Sequence, residues 1–589
     1  MTGAAGWIRV PVGDDAARWA TRGRTRRVLL VVHNVTAATR LLDVLPLFHD
    51  DLRVQVLATC PGSSAFRAGL DELLGEVGVP VLPWEQALST PVSLAVSASF
   101  GGQLRAVQGK LIVLSHGVGY TKRLARPDAG CRMPDAGRRT PDAGSRKSAP
   151  VFGMSPEWLL APDGRPVADA LVLSHPEQYE RLRTVCPDAA PTAVLAGDPC
   201  WDRMLAARPY RDRYRRALGV GRGRRLVVLS STWNPESLFG DGGGDDVLPS
   251  LLPRLASEFP ADEYRLATVL HPNVWHGHGP GQIRAWLDRA RRSGLALIDP
   301  LDGWRQALVA ADAVLGDHGS VTYYAAALGT PVLLGAAPLA GLDPAAPVHS
   351  FVRAAPRLDP ARALRPQVEA LLAGHRPGSA PARFVSSVPG ESAARLRRLF
   401  YGFLELPEPD TPARLEPLPL PPYEPGTTTA PLTVITRLLG SGEVAVTRYA
   451  ADAGPCPPPD AGAEAHIAVH EDTRETDRLA LADVVFWDGA ADDPRLGPPA
   501  QWTAEVLGRH PHCALAARVT GPGTCVVRPR GGALLRLTAG PGAGADPAAY
   551  ASALHAWLAA GKAPDELFER GLTVRTGAAA HPVTVTPAG

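Results

Sequence analysis

Lysine is almost missing from this chain. Of 61 basic residues only Lys110, Lys122, Lys147 and Lys562 are lysines, so guanidinium groups carry nearly all the positive charge. The formal net charge is +2, too near neutral to draw the chain to nucleic acid, and no nucleic-acid partner is expected. Cysteine is sparse as well: seven residues, an odd number with no C-x-x-C pair. That excludes a disulfide framework and a zinc ribbon and suits a reducing cytoplasm. Long apolar runs are lacking. The longest aliphatic stretch is Val28-Leu29-Leu30-Val31-Val32, far short of the roughly 20 residues a membrane helix needs. The first twenty residues hold no apolar core flanked by basic residues, so no export signal is expected. Glycine and proline, 59 of each, follow no three-residue period, which excludes collagen. With 45% apolar and 20% charged residues, the chain is not a mainly disordered one.

What is present is alternation. Its 589 residues suggest two to four domains. From Arg24 to about Gly374, continuous aliphatic runs such as Val28 to Val32, Leu111 to Ser115, Leu226 to Ser230, Leu266 to Leu270 and Ala313 to Gly316 alternate with helical spacings. Unbroken runs suit strands buried on both faces of parallel sheets. The expected class is α/β: a GT-B-like pair of doubly wound Rossmann-type domains, plus a smaller C-terminal α+β or α/β domain. The expected divisions are 24–215 for an N-terminal acceptor domain carrying a flexible insert at 125–150, and 222–404 for a nucleotide-donor domain ending in a return helix. A proline-rich linker at 405–431 and an accessory domain at 432–589 follow. The insert repeats Pro-Asp-Ala-Gly at Pro127, Pro134 and Pro141 among several arginines, and reads as a solvated loop or a basic lid.

Three strand ends gather polar residues where ligands of open α/β sheets bind. The first is Ser115-His116-Gly117-Val118-Gly119-Tyr120-Thr121-Lys122-Arg123. There His116 is suited to proton transfer, Gly117 and Gly119 expose backbone amides, and Lys122 and Arg123 can neutralise an anion. The second is His271-Pro272-Asn273, where proline fixes how His271 leaves its strand. His276 and His278 follow in a spacing that matches no zinc motif, so no metal is expected. They read as solvated loop residues. The third is Asp317-His318-Gly319-Ser320, opening a helix whose free amides attract phosphate, with Asp317 placed to hold a ribose or orient a histidine. Ser230-Ser231-Thr232-Trp233-Asn234 and Gly197-Asp198-Pro199-Cys200 read singly as turns.

In order, H-G-x-x-x-x-K-R, G-x-P-x-x-D, S-T-W, H-P and D-x-G-S, followed by an alanine-rich helix and G-x-P, resemble the CDP-glycerol glycerophosphotransferase family, the teichoic-acid primases and polymerases of GT-B fold. The likeness covers roughly residues 110 to 340. It departs at Asn234 and Cys200, where the family usually has arginine. The resemblance implies transfer of glycerol phosphate, or a related alditol phosphate, from a CDP-activated donor to a hydroxyl acceptor, lipid-linked in cell-surface polymer synthesis. His116 matches the base for the acceptor and His271 the histidine that steadies the donor phosphates. Gly319 and Ser320 match the donor-phosphate turn, although Asp317-His318-Gly319 replaces the family's aromatic-serine turn there, and Asp317, His318, Gly117, Gly119 and Thr232 are expected with them at the donor phosphates. No cofactor is implied. The expected place is the cytoplasm, with peripheral contact at the inner face of the plasma membrane. Two alternatives stay open: a GT-B nucleotide-sugar glycosyltransferase or epimerase, and a catalytically silent nucleotide-binding or interaction protein.

Overall fold

The computed structural model describes residues 6–115, 118–124, 149–242, 246–378, 380–422, 428–450, 459–491, 493–540 and 544–588. Seven of the aliphatic runs pair in parallel. They are β1 (Arg26–Val31), β2 (Val54–Thr59), β3 (Val81–Leu82), β4 (Leu94–Ser97), β5 (Lys110–Val113), β6 (Ala170–Leu173) and β7 (Ala193–Leu195), in the order β3-β2-β1-β4-β5-β6-β7. Helices cover both faces, which is why β4 and β6 are buried at every position and why their sequences do not alternate.

A second parallel sheet holds β8 (Arg225–Ser231), β9 (Tyr264–Leu270), β10 (Ala296–Leu297), β11 (Ala313–Gly316) and β12 (Val332–Leu334), in the order β10-β9-β8-β11-β12. Both sheets run outward from their first strand and reverse there, the doubly wound pattern that opens a crevice at the strands' carboxyl ends. Register sets the site. Ser231 pairs with Leu270, so Thr232 and His271 leave their strands level with each other. Leu315 pairs with Leu229, which brings Asp317 level with Ser231.

The two sheets are bound together by charge and by helices. Helix Pro199–Ala207 adds Cys200, Trp201 and Met204 to the core of the second sheet, while helix Ser392–Leu404 returns to pack Leu396, Phe400 and Leu404 under the first. Asp43, 2% exposed, receives Arg305 at 2.7 Å and also Arg203, joining three separate elements. Buried charges persist only when paired in this way.

The C-terminal strands do more than form a small sheet. β13 (Leu432–Gly440), β14 (Glu443–Ala450), β15 (Glu464–His470), β16 (Val484–Trp487), β17 (Leu515–Gly521), β18 (Thr524–Pro529), β19 (Leu535–Ala539), β20 (Leu572–Thr576) and β21 (Ala579–Pro587) close into a barrel. Helix Pro547–Ala559 is buried on all sides and packs against β13, β14 and β16 to β20. An alanine-rich helix is slender enough to fill such a barrel, and closure leaves no free sheet edge. No helix among the described residues is long and apolar enough to cross a membrane.

Candidate active site

The cleft between the two parallel sheets is built from their carboxyl ends. After β5 the chain enters the nine-residue segment singled out above. His116 and Gly117 lie outside the described residues. Val118 is already part of the core of the second sheet, so this loop reaches across the cleft. Tyr120 turns with φ +61°, and its ring lies where a Cβ on Gly153 would fall, 2.6 Å from the nearest ring atoms. Only glycine fits there. Thr121 O then accepts from Asp343 N at 2.8 Å, and Arg123 N donates to Gly341 O at 3.0 Å. Arg181 ties the same join by donating to Tyr120 O at 2.8 Å and to Asp343 at 3.0 Å.

Lys122 is thereby held against the opposite wall. Its Nζ donates to Thr232 Oγ1 at 3.3 Å and stands 5.1 Å from the Trp233 ring centroid, a cation–π contact. Burial pushes the Lys122 ammonium down to about 8, against the opposing pull of Asp317 and Glu236. Trp233 meets Phe66 of the first half edge-on at 5.2 Å. The His271 ring also lies by it, 6.4 Å away and tilted. His271 caps helix Pro272–His278: its Nδ1 accepts from Asn273 N at 3.1 Å. In the neutral ring the proton is then on Nε2, which makes that atom a donor.

Asp317, expected to hold a ribose or orient a histidine, turns its carboxylate onto the protein's own backbone. It is fully buried, and its Oδ2 accepts from Thr232 N at 2.8 Å, Leu238 N at 3.0 Å and Ser231 Oγ at 3.3 Å. Oδ1 takes Gly319 N at 2.9 Å. Ser231 Oγ has one proton and also reaches Thr232 O at 3.0 Å, so the three backbone amides are the firm donors, and through them Asp317 acts as the clamp that fixes both loops. His318 is 4% exposed, and its Nδ1 is buried with no hydrogen-bond partner. Burial pushes it down to about 4, aided by the nearby Lys122 charge and opposed by Asp317. It is neutral at physiological pH. Gly319 caps helix Ser320–Ala327 with no side-chain cap bond, and a Cβ on Gly319 would lie 3.0 Å from Thr232, so the start of the helix sits against the loop after β8. Gly119 is buried in the crossing loop.

No family model matches the chain, and no curated protein matches it. Solved structures do resemble it. The wall teichoic acid polymerase TagF is 15% identical over 65% of this chain and 90% of that one, at a TM-score of 0.41. MnaA of S. aureus, solved with UDP, is 14% identical over 67% and 100%, at 0.37. UDP-GlcNAc 2-epimerase from Methanocaldococcus jannaschii is 12% identical over 64% and 100%, at 0.39. The chain's own strand orders carry the assignment of fold. It is a GT-B-type pair of doubly wound sheets.

Three features of this GT-B cleft lay beyond the sequence reading. Trp233, read as part of a turn, meets Phe66, Lys122 and His271. His276, read as solvated, packs on the first half: a Cβ on Gly69 would lie 2.1 Å from its ring. Cys200, where the resembling family has arginine, is not without a cation. Its Sγ accepts from Arg305 Nε at 3.2 Å, and Arg40 lines the same small cavity.

Proposed function

We propose that the protein is a transferase that moves glycerol phosphate, or a related alditol phosphate, from a CDP-activated donor to a hydroxyl acceptor. The observation that carries this reading is the meeting of Lys122, Thr232, Trp233 and His271 beside the amino end of helix Ser320–Ala327. An ammonium, a donor imidazole and free helix amides, drawn from both halves, are what a pyrophosphate needs on binding. In the step itself the acceptor oxygen bonds to the phosphorus of the glycerol phosphate. The bond from that phosphorus to the oxygen of CMP breaks, and the acceptor proton passes to His116, the base the family resemblance assigns. Lys122 and His271 steady the charge gathering on the departing phosphate, in keeping with phosphoryl transfer as positioning plus electrostatics. His318, neutral and desolvated, adds no charge of its own beside Lys122 and Asp317.

A second reading, a nucleotide-sugar transferase of the same fold, is favoured by one observation: Asn234 donates to Glu236 at 2.8 Å, which puts an acid where the resembling family has a cation. Product analysis separates the two. Incubation with CDP-glycerol and a hydroxyl acceptor is expected to release CMP, and His271→Ala to lower turnover at least about 100-fold. Release of a nucleoside diphosphate from a nucleotide sugar, with no CMP from CDP-glycerol, supports the second reading instead.

A further inference from the structure

The loop after β8 carries an acid, Glu236, beside the groups proposed to meet phosphate. Its backbone is drawn tight. Ser237 N donates to Asn234 O at 2.9 Å, Gly240 N to Ser237 O at 3.1 Å and Gly242 N to Pro235 O at 2.9 Å. A Cβ on Gly240 would lie 2.2 Å from Pro235 O, so the turn closes only on glycine. The loop is also tied to its neighbours. Leu238 N donates to Asp317 Oδ2 at 3.0 Å, and Phe239 N to Ser231 Oγ at 2.9 Å. A side chain on this loop is held in place before any ligand arrives, and little ordering is left to be done on binding.

Glu236 is half-buried. Asn234 Nδ2 donates to its Oε2 at 2.8 Å, and because a carboxylate has nothing to donate, it is the amide nitrogen of Asn234 that faces it. The charge of Glu236 reaches Lys122 and His318, favouring the protonated form of each. A carboxylate accepts hydrogen bonds and repels phosphate oxygens. Its partner on a nucleotide-activated substrate is therefore a group that donates and carries no negative charge. A base amino group offers a single such donor. Two hydroxyls on adjacent carbons offer a matched pair, and a carboxylate has about four lone-pair sites, enough for both hydroxyls beside Asn234. Hydroxyl bonds to an ionised oxygen are among the stronger ones.

We propose that Glu236, oriented by Asn234, selects a vicinal diol on the donor substrate and accepts from both hydroxyls. The ribose of the nucleotide and the alditol it carries present the same pair of donors, so either can supply the diol. This rests on the reading of the cleft as a nucleotide-donor site, and not on which nucleotide it takes. It makes the loop after β8 a determinant of specificity, with Lys122 on the phosphate and Glu236 on the hydroxyls.

Calorimetric titration of the full chain with matched pairs tests this: CMP against 2′-deoxy-CMP, UMP against 2′-deoxy-UMP, and CDP-glycerol against the propyl ester of CDP, which lacks the glycerol hydroxyls. Wild type is expected to bind the diol member of at least one pair at least about tenfold more tightly, and the pair that discriminates identifies the source. In Glu236→Gln and Glu236→Ala that ratio should fall to within about threefold of unity while the Kd of the diol-free member holds. An unaltered Tm checks that the loop is intact. Discrimination in the uridine pair alone removes the CDP donor and leaves the role of Glu236 standing. The proposal is overturned if no nucleotide saturates, if no pair discriminates, if the ratio survives in both variants, or if the variants weaken both members of a pair equally.

Discussion

Lys122 is one of four lysines in a chain whose other basic residues are arginine, and its surroundings suggest what lysine does there. A guanidinium stays charged at any working pH, whereas a desolvated ammonium can titrate within it. Burial brings Lys122 to about 8, so it is charged at neutral pH and loses its proton as pH rises through 8. The kcat/KM for transfer is therefore expected to fall on the alkaline side with an apparent pKa near 8. Lys122→Arg should move that limb up by more than one pH unit. Lys122→Ala should remove it and lower kcat/KM by about 100-fold or more, the cost of a desolvated charge contact at a reacting phosphate. An alkaline limb that survives unchanged in Lys122→Arg would assign the titration to another group. Asp317 makes the complementary point at this scale: an acid at a strand end takes three backbone amides and so fixes the geometry of both loops.

Among elements, the turn from β11 into helix Ser320–Ala327 carries the proposed anion cradle, and it rests on a glycine. A Cβ on Gly316 would lie 2.4 Å from Thr322 Oγ1 and 2.7 Å from Thr322 Cγ2, and Thr322 is fully buried. Gly316→Ala must push the helix start away from β11, so donor affinity should fall at least about tenfold while the far-UV spectrum stays native. Overpacking of this kind costs about 1–3 kcal/mol. A donor titration that matches the wild type would mean the turn absorbs the methyl. The strands that frame this turn were legible in the sequence because burial on both faces demands unbroken aliphatic runs: Leu226 to Ser230 became β8 and Leu266 to Leu270 the body of β9. The barrel was not. Its core helix shows a stripe of Tyr550, Leu554 and Trp557, but Ala549, Ala551 and Ala553 on the other faces are equally buried, and alanine marks no face. The part played by Trp233 was hidden for a different reason. Its contact with Phe66 joins distant parts of the chain, and no local spacing encodes such a contact.

At the scale of the whole molecule, stability is held by buried groups that tolerate only one protonation or pairing state. Asp43 neutralises Arg305 and Arg203 between the two halves, so Asp43→Ala leaves buried guanidinium groups uncompensated. A loss of about 3–5 kcal/mol is expected in denaturant titrations, and an unchanged midpoint would remove the cluster from the account. Acid acts through histidine. Burial pushes His466 of the barrel down to about 3 and His318 of the cleft to about 4, while an unfolded imidazole titrates near 6.5. Above that value both states are neutral and pH has no effect through these rings. As pH falls below 6.5 the unfolded chain takes up protons that the folded one refuses, so stability declines until the folded rings titrate in turn, near 4 and 3. Each histidine contributes up to about 1.4 kcal/mol per pH unit within that window. His466 lies 4.5 Å from the His555 ring, and its Nε2 is buried without a partner, so His466→Phe removes the titration without breaking a hydrogen bond. Denaturation measured from pH 7.5 to 4.5 should show a shallower acid slope in His466→Phe than in the wild type, and equal slopes would show that the barrel interior takes no part in acid unfolding.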